Sequence, residues 1–144
     1  MTFILSIHPL GQLVAILIAF YAGFLGLRRM QSLHFRKNYR FHRVRHVIFG
    51  SCGLIFMLGG MVAGYIMVNR YLLLPDTRLH VAVAKIILLL GVFGLSTGFF
   101  LYLMPGKRRV LPLIHGINNL LILALALGQI VTGVLLYLRY VLYW

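Results

Sequence analysis

The chain has 144 residues, 62% of them hydrophobic and only 10% charged, whereas soluble globular domains are nearer about 45–50% apolar and about 25% charged; the composition reads as an integral membrane protein. Fourteen Lys and Arg oppose a single acid, Asp76, for a net charge of +13, which excludes a carboxylate pair for glycoside hydrolysis, a carboxylate-rich metal site and an Asp/Glu proton relay. The single Cys52 excludes an internal disulfide, a thiolate zinc site and a Cys-x-x-Cys-His attachment motif.

Four apolar runs follow in chain order, at about 3–27, 46–68, 79–104 and 110–138, each long enough to cross a bilayer. The first lacks a basic leader and an A-x-A cleavage site, which predicts a retained helix. Short connections predict antiparallel neighbours. The expected fold is all-α, an integral membrane four-helix antiparallel bundle forming one domain, with no soluble domain and no disordered tail. Seven basic residues cluster between the first two runs (Arg28, Arg29, Arg36, Lys37, Arg40, Arg43 and Arg45) and three between the last two (Lys107, Arg108 and Arg109). The opposite side has Arg70, Arg78 and Arg139, and Lys85 lies within the third run. This bias places the first and third loops in the cytoplasm and both termini outside. Topology and anionic headgroups account for the basic loop, so no nucleic-acid partner is expected.

Each run begins with a histidine: His8, His46, His80 and His115. Histidine inside a membrane is costly and ordinarily has a partner or a task. With alternating helix directions, His8 and His80 lie near the outer surface, and His46 and His115 near the inner one. Only these same-side pairs are geometrically possible, and they join helices that are diagonal in a four-helix bundle. His42, one turn before His46, competes with it, but the deeper His46 better matches the level of His115. His34 reads as a headgroup-facing side chain. Pro9 disfavours helical geometry at His8, so His8 either acts from a cap position or the proline is accommodated inside the helix.

Counting 4, 7, 11, 14 and 18 residues from each histidine follows one helix face. The four faces read His8, Gln12, Ala15, Ala19, Ala22, Gly26; His46, Gly50, Gly53, Met57, Gly60, Gly64; His80, Ala84, Ile87, Gly91, Gly94, Gly98; and His115, Asn119, Ile122, Ala126, Gln129, Gly133. All are mostly small and all end in Gly at the same offset of 18 residues, about 27 Å along a helix. Each distal Gly therefore lies at the level of the other histidine pair, where it leaves room for a flat group. Gly26 and Gly98 are expected to flank the inner group, and Gly64 and Gly133 the outer one. Small residues also suit close helix packing, and Gly60–Gly64 and Gly94–Gly98 both fit GxxxG. Packing alone explains neither the four histidines nor their common offset.

Two neutral imidazoles without acids or thiolates suit the iron of haem better than zinc or calcium. Without an attachment motif the haem would be non-covalent, so two b haems with bis-histidine ligation are expected, favouring electron transfer over oxygen chemistry. Their propionates would give Lys85, Arg43, Arg45 or Arg78 a counter-charge. Gln12, Lys85, Gln129 and Asn118 are polar groups able to contact a quinone, or to support the ligands and join helices.

The pattern His8, His46, His80 and His115 with its small-residue faces resembles the cytochrome b561 family over nearly the whole chain. The stretch His115-Gly116-Ile117-Asn118-Asn119, followed by Gln129-Ile130-Val131-Thr132-Gly133, is similar to the last helix of small bacterial four-helix members of this broad group. The resemblance implies a core in which diagonal histidine pairs hold one b haem near each surface, and a place in a bacterial inner membrane. Six-helix members reduce ferric or monodehydroascorbate substrates with ascorbate, and the four runs do not provide their two further helices. It therefore implies a transmembrane electron carrier passing electrons between quinol or another donor and a partner redox protein or complex. Two other readings stay open, a membrane-anchor subunit of a redox complex exchanging electrons with quinone, and a haem-free scaffold or transporter.

Overall fold

A computed structural model describes residues 2–71 and 76–142. They form four α-helices: α1 (Thr2–His34), α2 (Arg43–Tyr71), α3 (Arg78–Leu103) and α4 (Val110–Tyr140). All four are long and apolar enough to cross a membrane. The apolar runs locate every helix, but α1, α2 and α4 outlast their runs. α1 continues seven residues past Leu27 through Arg28, Arg29 and Gln31 to His34, because these long side chains are good helix formers and the backbone bonds do not stop at the hydrocarbon edge. Arg36, with φ 53°, then turns the chain out of the helix. Pro9 is accommodated inside α1, so His8 is a helical residue and not a cap.

Among the described residues, the backbone of α1 packs against α2 and α4, and that of α3 against α4 and α2, while the backbones of α1 and α3, and of α2 and α4, stay apart. The bundle is thus square, with α1 diagonal to α3 and α2 diagonal to α4. The α1–α2 seam is the most extensive and the α2–α3 seam the thinnest. Small residues explain the first. A Cβ on Gly53 would fall 2.9 Å from the backbone nitrogen of Ala19, so only glycine lets α1 and α2 approach this closely. The thin seam is tied at one end by Arg43, whose Nη2 donates to the carbonyls of Leu101 (3.3 Å) and Tyr102 (2.5 Å). A cation there satisfies the last carbonyls of α3 and meets the negative end of its dipole. The same contact puts the 35–42 and 104–109 connections, with the two basic clusters, at one end of the bundle.

The core is a mid-bundle layer of Ala15, Ile16, Ala19, Leu54, Met57, Ile87, Ile122, Leu123 and Ala126. Six of these nine lie 7 or 11 residues after a histidine. Every residue of the four histidine faces is buried or half-buried, while many large apolar side chains on the other faces, such as Leu17, Tyr65, Leu89 and Leu135, are exposed, as suits helices that face lipid.

Candidate functional site

The histidine faces converge into two clusters, one at each end of the core layer. At the end bearing the basic loops, the rings of His46 (α2) and His115 (α4) stand across the diagonal with centroids 6.1 Å apart and planes at 82°. At the other end stand His8 (α1), beside Gly60 and Gly64 of α2, and His80 (α3), beside Thr132 and Gly133 of α4. His46, not His42, faces His115. His42 sits just before α2 and accepts the His46 backbone N–H through its carbonyl at 3.0 Å. His34, at the end of α1, is half-buried, and its Nε2 is the one buried side-chain nitrogen without a hydrogen-bond partner among the described residues.

The distal glycines meet the imidazoles of the adjacent helix. A Cβ on Gly26 would lie 3.0 Å from His46 Cε1, one on Gly98 3.2 Å from His115 Cε1, one on Gly64 2.6 Å from His8 Cε1, and one on Gly133 3.3 Å from His80 Cε1. The levels are those expected from the 18-residue offset. The structure adds that each glycine seats a histidine ring directly.

Every imidazole is tied through Nδ1 to the helix next to it in its own hairpin. In the α1–α2 hairpin, His8 Nδ1 is 2.8 Å from the Gly60 carbonyl and His46 Nδ1 is 2.9 Å from the Ala22 carbonyl. A carbonyl only accepts, so Nδ1 carries the proton in both rings. In the α3–α4 hairpin, His80 Nδ1 is 2.8 Å from Thr132 Oγ1 and His115 Nδ1 is 2.9 Å from Thr97 Oγ1. Sequence reasoning missed both threonines, although each immediately precedes a distal glycine, in Thr97-Gly98 and Thr132-Gly133.

The remaining polar groups brace this arrangement. Gln12 donates to the Met57 carbonyl at 2.9 Å, Gln129 to the His80 carbonyl at 2.7 Å, and Asn118 to the Leu90 carbonyl at 3.0 Å. Asn119 Nδ2 makes its short bond, 2.7 Å, to the His115 carbonyl and lies 3.3 and 3.4 Å from the two ring nitrogens. The amides of Gln12, Gln129 and Asn118, weighed above as quinone contacts, thus join helices. On the basic side Phe41 packs on His46 with centroids 5.5 Å apart, and Arg29 lies over Phe41. Of the candidate counter-charges, Arg43 is committed to the end of α3, and Arg78 to Asp76 at 3.1 Å. Lys85 and Arg45 are exposed, and neither has an ion pair among the described residues.

The donors at each end are two imidazoles, a set that haem iron would accept. No protein-family model, curated protein or solved structure matches the chain.

Proposed function

We propose that the chain is a di-haem b-type cytochrome that carries electrons across the bilayer. One observation carries the proposal: four inward imidazoles form two diagonal pairs at opposite ends of the bundle, each ring with Nδ1 tied to protein. His8 and His80 would hold one non-covalent haem b, and His46 and His115 the other. Bound there, haem would supply reversible one-electron chemistry. The chain's own residues do the rest. Donation from Nδ1 to a carbonyl fixes the rings of His8 and His46 and leaves their Nε2 as the lone-pair nitrogen. The dry layer around Ile87 and Ile122, each at most 2% exposed, keeps water from crossing between the two ends. Phe41 covers His46 from the loop side. Of the candidate counter-charges, Lys85 and Arg45 have no ion pair among the described residues and would be available to propionates.

The positive-inside bias favours the basic loops, His46 and His115 in the cytoplasm, with both termini outside, in a bacterial inner membrane. Electrons would pass to or from a redox partner protein or complex, with quinol a candidate donor. The test uses proteoliposomes carrying the purified, spectrally characterised protein with ferricyanide trapped inside. External dithionite should bleach the trapped ferricyanide faster than in protein-free vesicles. Bleaching no faster than in empty vesicles, by a preparation containing two haems per chain, would overturn the transmembrane role.

A further inference from the structure

The two hairpins hold their imidazoles in related but unequal ways. In α1–α2, the acceptors are the carbonyls of Gly60 and Ala22. Each lies four residues before a distal glycine, Gly64 or Gly26. In a helix that carbonyl already receives the N–H of the residue four ahead. The missing Cβ on that residue opens its second lone pair to a neighbouring ring. In α3–α4 the corresponding carbonyls, four residues before Gly98 and Gly133, belong to Gly94 and Gln129. There a hydroxyl intervenes. Thr97 Oγ1 donates within its own helix to the Phe93 carbonyl at 2.8 Å, with the Gly94 carbonyl at 3.2 Å. Thr132 Oγ1 faces the carbonyls of Gly128 at 3.2 Å and Gln129 at 3.3 Å; Gln129 Oε1 lies at 3.3 Å as well. A hydroxyl has one proton. Directed to these acceptors, it leaves Oγ1 to accept from the histidine. The standoff changes accordingly. The would-be Cβ to Cε1 distances are 2.6 and 3.0 Å in α1–α2, against 3.2 and 3.3 Å in α3–α4.

We propose that Thr97 and Thr132 are positioning residues, whose hydroxyls are interposed between imidazole and helix to fix His115 and His80 in the Nδ1–H form with Nε2 free to ligate. The inference deepens the di-haem reading and rests on it for its ligand. Each pair then receives one imidazole bonded directly to a carbonyl and one bonded through a hydroxyl. Substitution of Thr97 acts on the His46–His115 site alone, and substitution of Thr132 on the His8–His80 site alone.

The experiment compares wild type, Thr97→Val and Thr97→Ser in mild detergent. Haem titration, a redox titration resolving the two sites and ¹⁵N-histidine NMR of the haem-free protein are the readouts. Valine keeps the volume and removes the acceptor. Loss of such a supporting group ordinarily costs about 10–100-fold in metal affinity. Thr97→Val should weaken haem binding at one site by that factor and raise that site's midpoint potential, because a ring whose N–H has no acceptor is the poorer donor to ferric iron. The other site should stay as in wild type, and Thr97→Ser should restore both properties. NMR should show His115 protonated at Nδ1 in wild type, a result that does not depend on haem. An Nε2–H tautomer of His115 in wild type overturns the inference, as does a Thr97→Val protein with two unchanged sites or with both sites lost. If Thr97→Val does not fold, the wild-type tautomer alone decides. Wild type that binds no haem but shows the Nδ1–H tautomer contradicts the di-haem function and leaves the hydroxyl's positioning role upheld.

Discussion

Alanine at Gly64 and at Gly133 separates ring-seating from ordinary helix packing. At Gly64 the new methyl would fall 2.6 Å from His8 Cε1, 2.9 Å from Nε2 and 3.0 Å from Nδ1. The ring can retreat only by stretching its 2.8 Å bond to the Gly60 carbonyl. Overpacking costs about 1–3 kcal/mol and a lost hydrogen bond about 0.5–1.5 kcal/mol, against about 0.5–1 kcal/mol regained by removing a helical glycine. The net loss for Gly64→Ala is about 0.5–4 kcal/mol, centred on about 2. At Gly133 the methyl would lie 3.3 Å from His80 Cε1 and 4.0 Å from Nδ1. A shift of a few tenths of an ångström relieves that contact, so the helical gain cancels the strain to within about 0.5 kcal/mol. The assay is equilibrium unfolding of the matched pair in one detergent, read by circular dichroism. Gly64→Ala should be clearly the less stable, and Gly26→Ala should fall between the two. Equal stability of Gly64→Ala and Gly133→Ala would refute the seating argument. Leucine sharpens the site reading. Gly64→Leu should remove or distort the haem at His8 and His80 in a low-temperature spectrum while His46 and His115 keep theirs.

Further outcomes follow from the pairing and the charge pattern. His8→Ala or His80→Ala should each delete one spectral component, and His46→Ala or His115→Ala the other; loss of the same component from His46→Ala and His80→Ala would break the diagonal pairing. His34→Ala should leave the haem count unchanged, measured by the same spectra. A cysteine introduced at Lys107 should react with an impermeant maleimide only from the cytoplasmic side of membrane vesicles, and one at Asp76 only from the other side. Hydrogen bonds and charge from Arg78 hold the Asp76 carboxyl below the usual carboxylate range. Its stabilising contribution is therefore present above the ordinary carboxylate pKa and fades only as pH falls through the lowered one. Asp76→Asn should leave the melting temperature unchanged between pH 8 and 5 relative to its value at neutrality.

The fold was legible because bilayer physics is severe. Runs of about 20 apolar residues have few alternatives to a spanning helix, and the helix period brought Ala15, Met57, Ile87 and Ile122 to one interior layer. The helix ends were less legible. Arg28 and Arg29 mark the hydrocarbon edge, yet α1 continues to His34 because helical bonding does not depend on the solvent outside. The site was half legible. Register alone aligned His8 with Gly64 and His46 with Gly26, since equal offsets on antiparallel helices match levels. It did not reveal that Gly60 and Ala22 lend carbonyls in one hairpin while Thr97 and Thr132 lend hydroxyls in the other. That difference depends on how two helices rotate against each other, which a face written for one helix does not encode. Lys85 shows the same limit: charge singled it out, but its rotation from His80 leaves it exposed on α3.

A haem count tests the central claim most directly. Protein purified in mild detergent is assayed by pyridine haemochrome against quantitative amino-acid analysis, with acid-acetone extraction of the same sample. Four inward histidines in two pairs predict two b haems per chain, both extracted by acid-acetone, falling to one in His46→Ala and to one, spectrally different, in His80→Ala. A folded protein that carries no haem, or that retains haem covalently after extraction, would contradict the account.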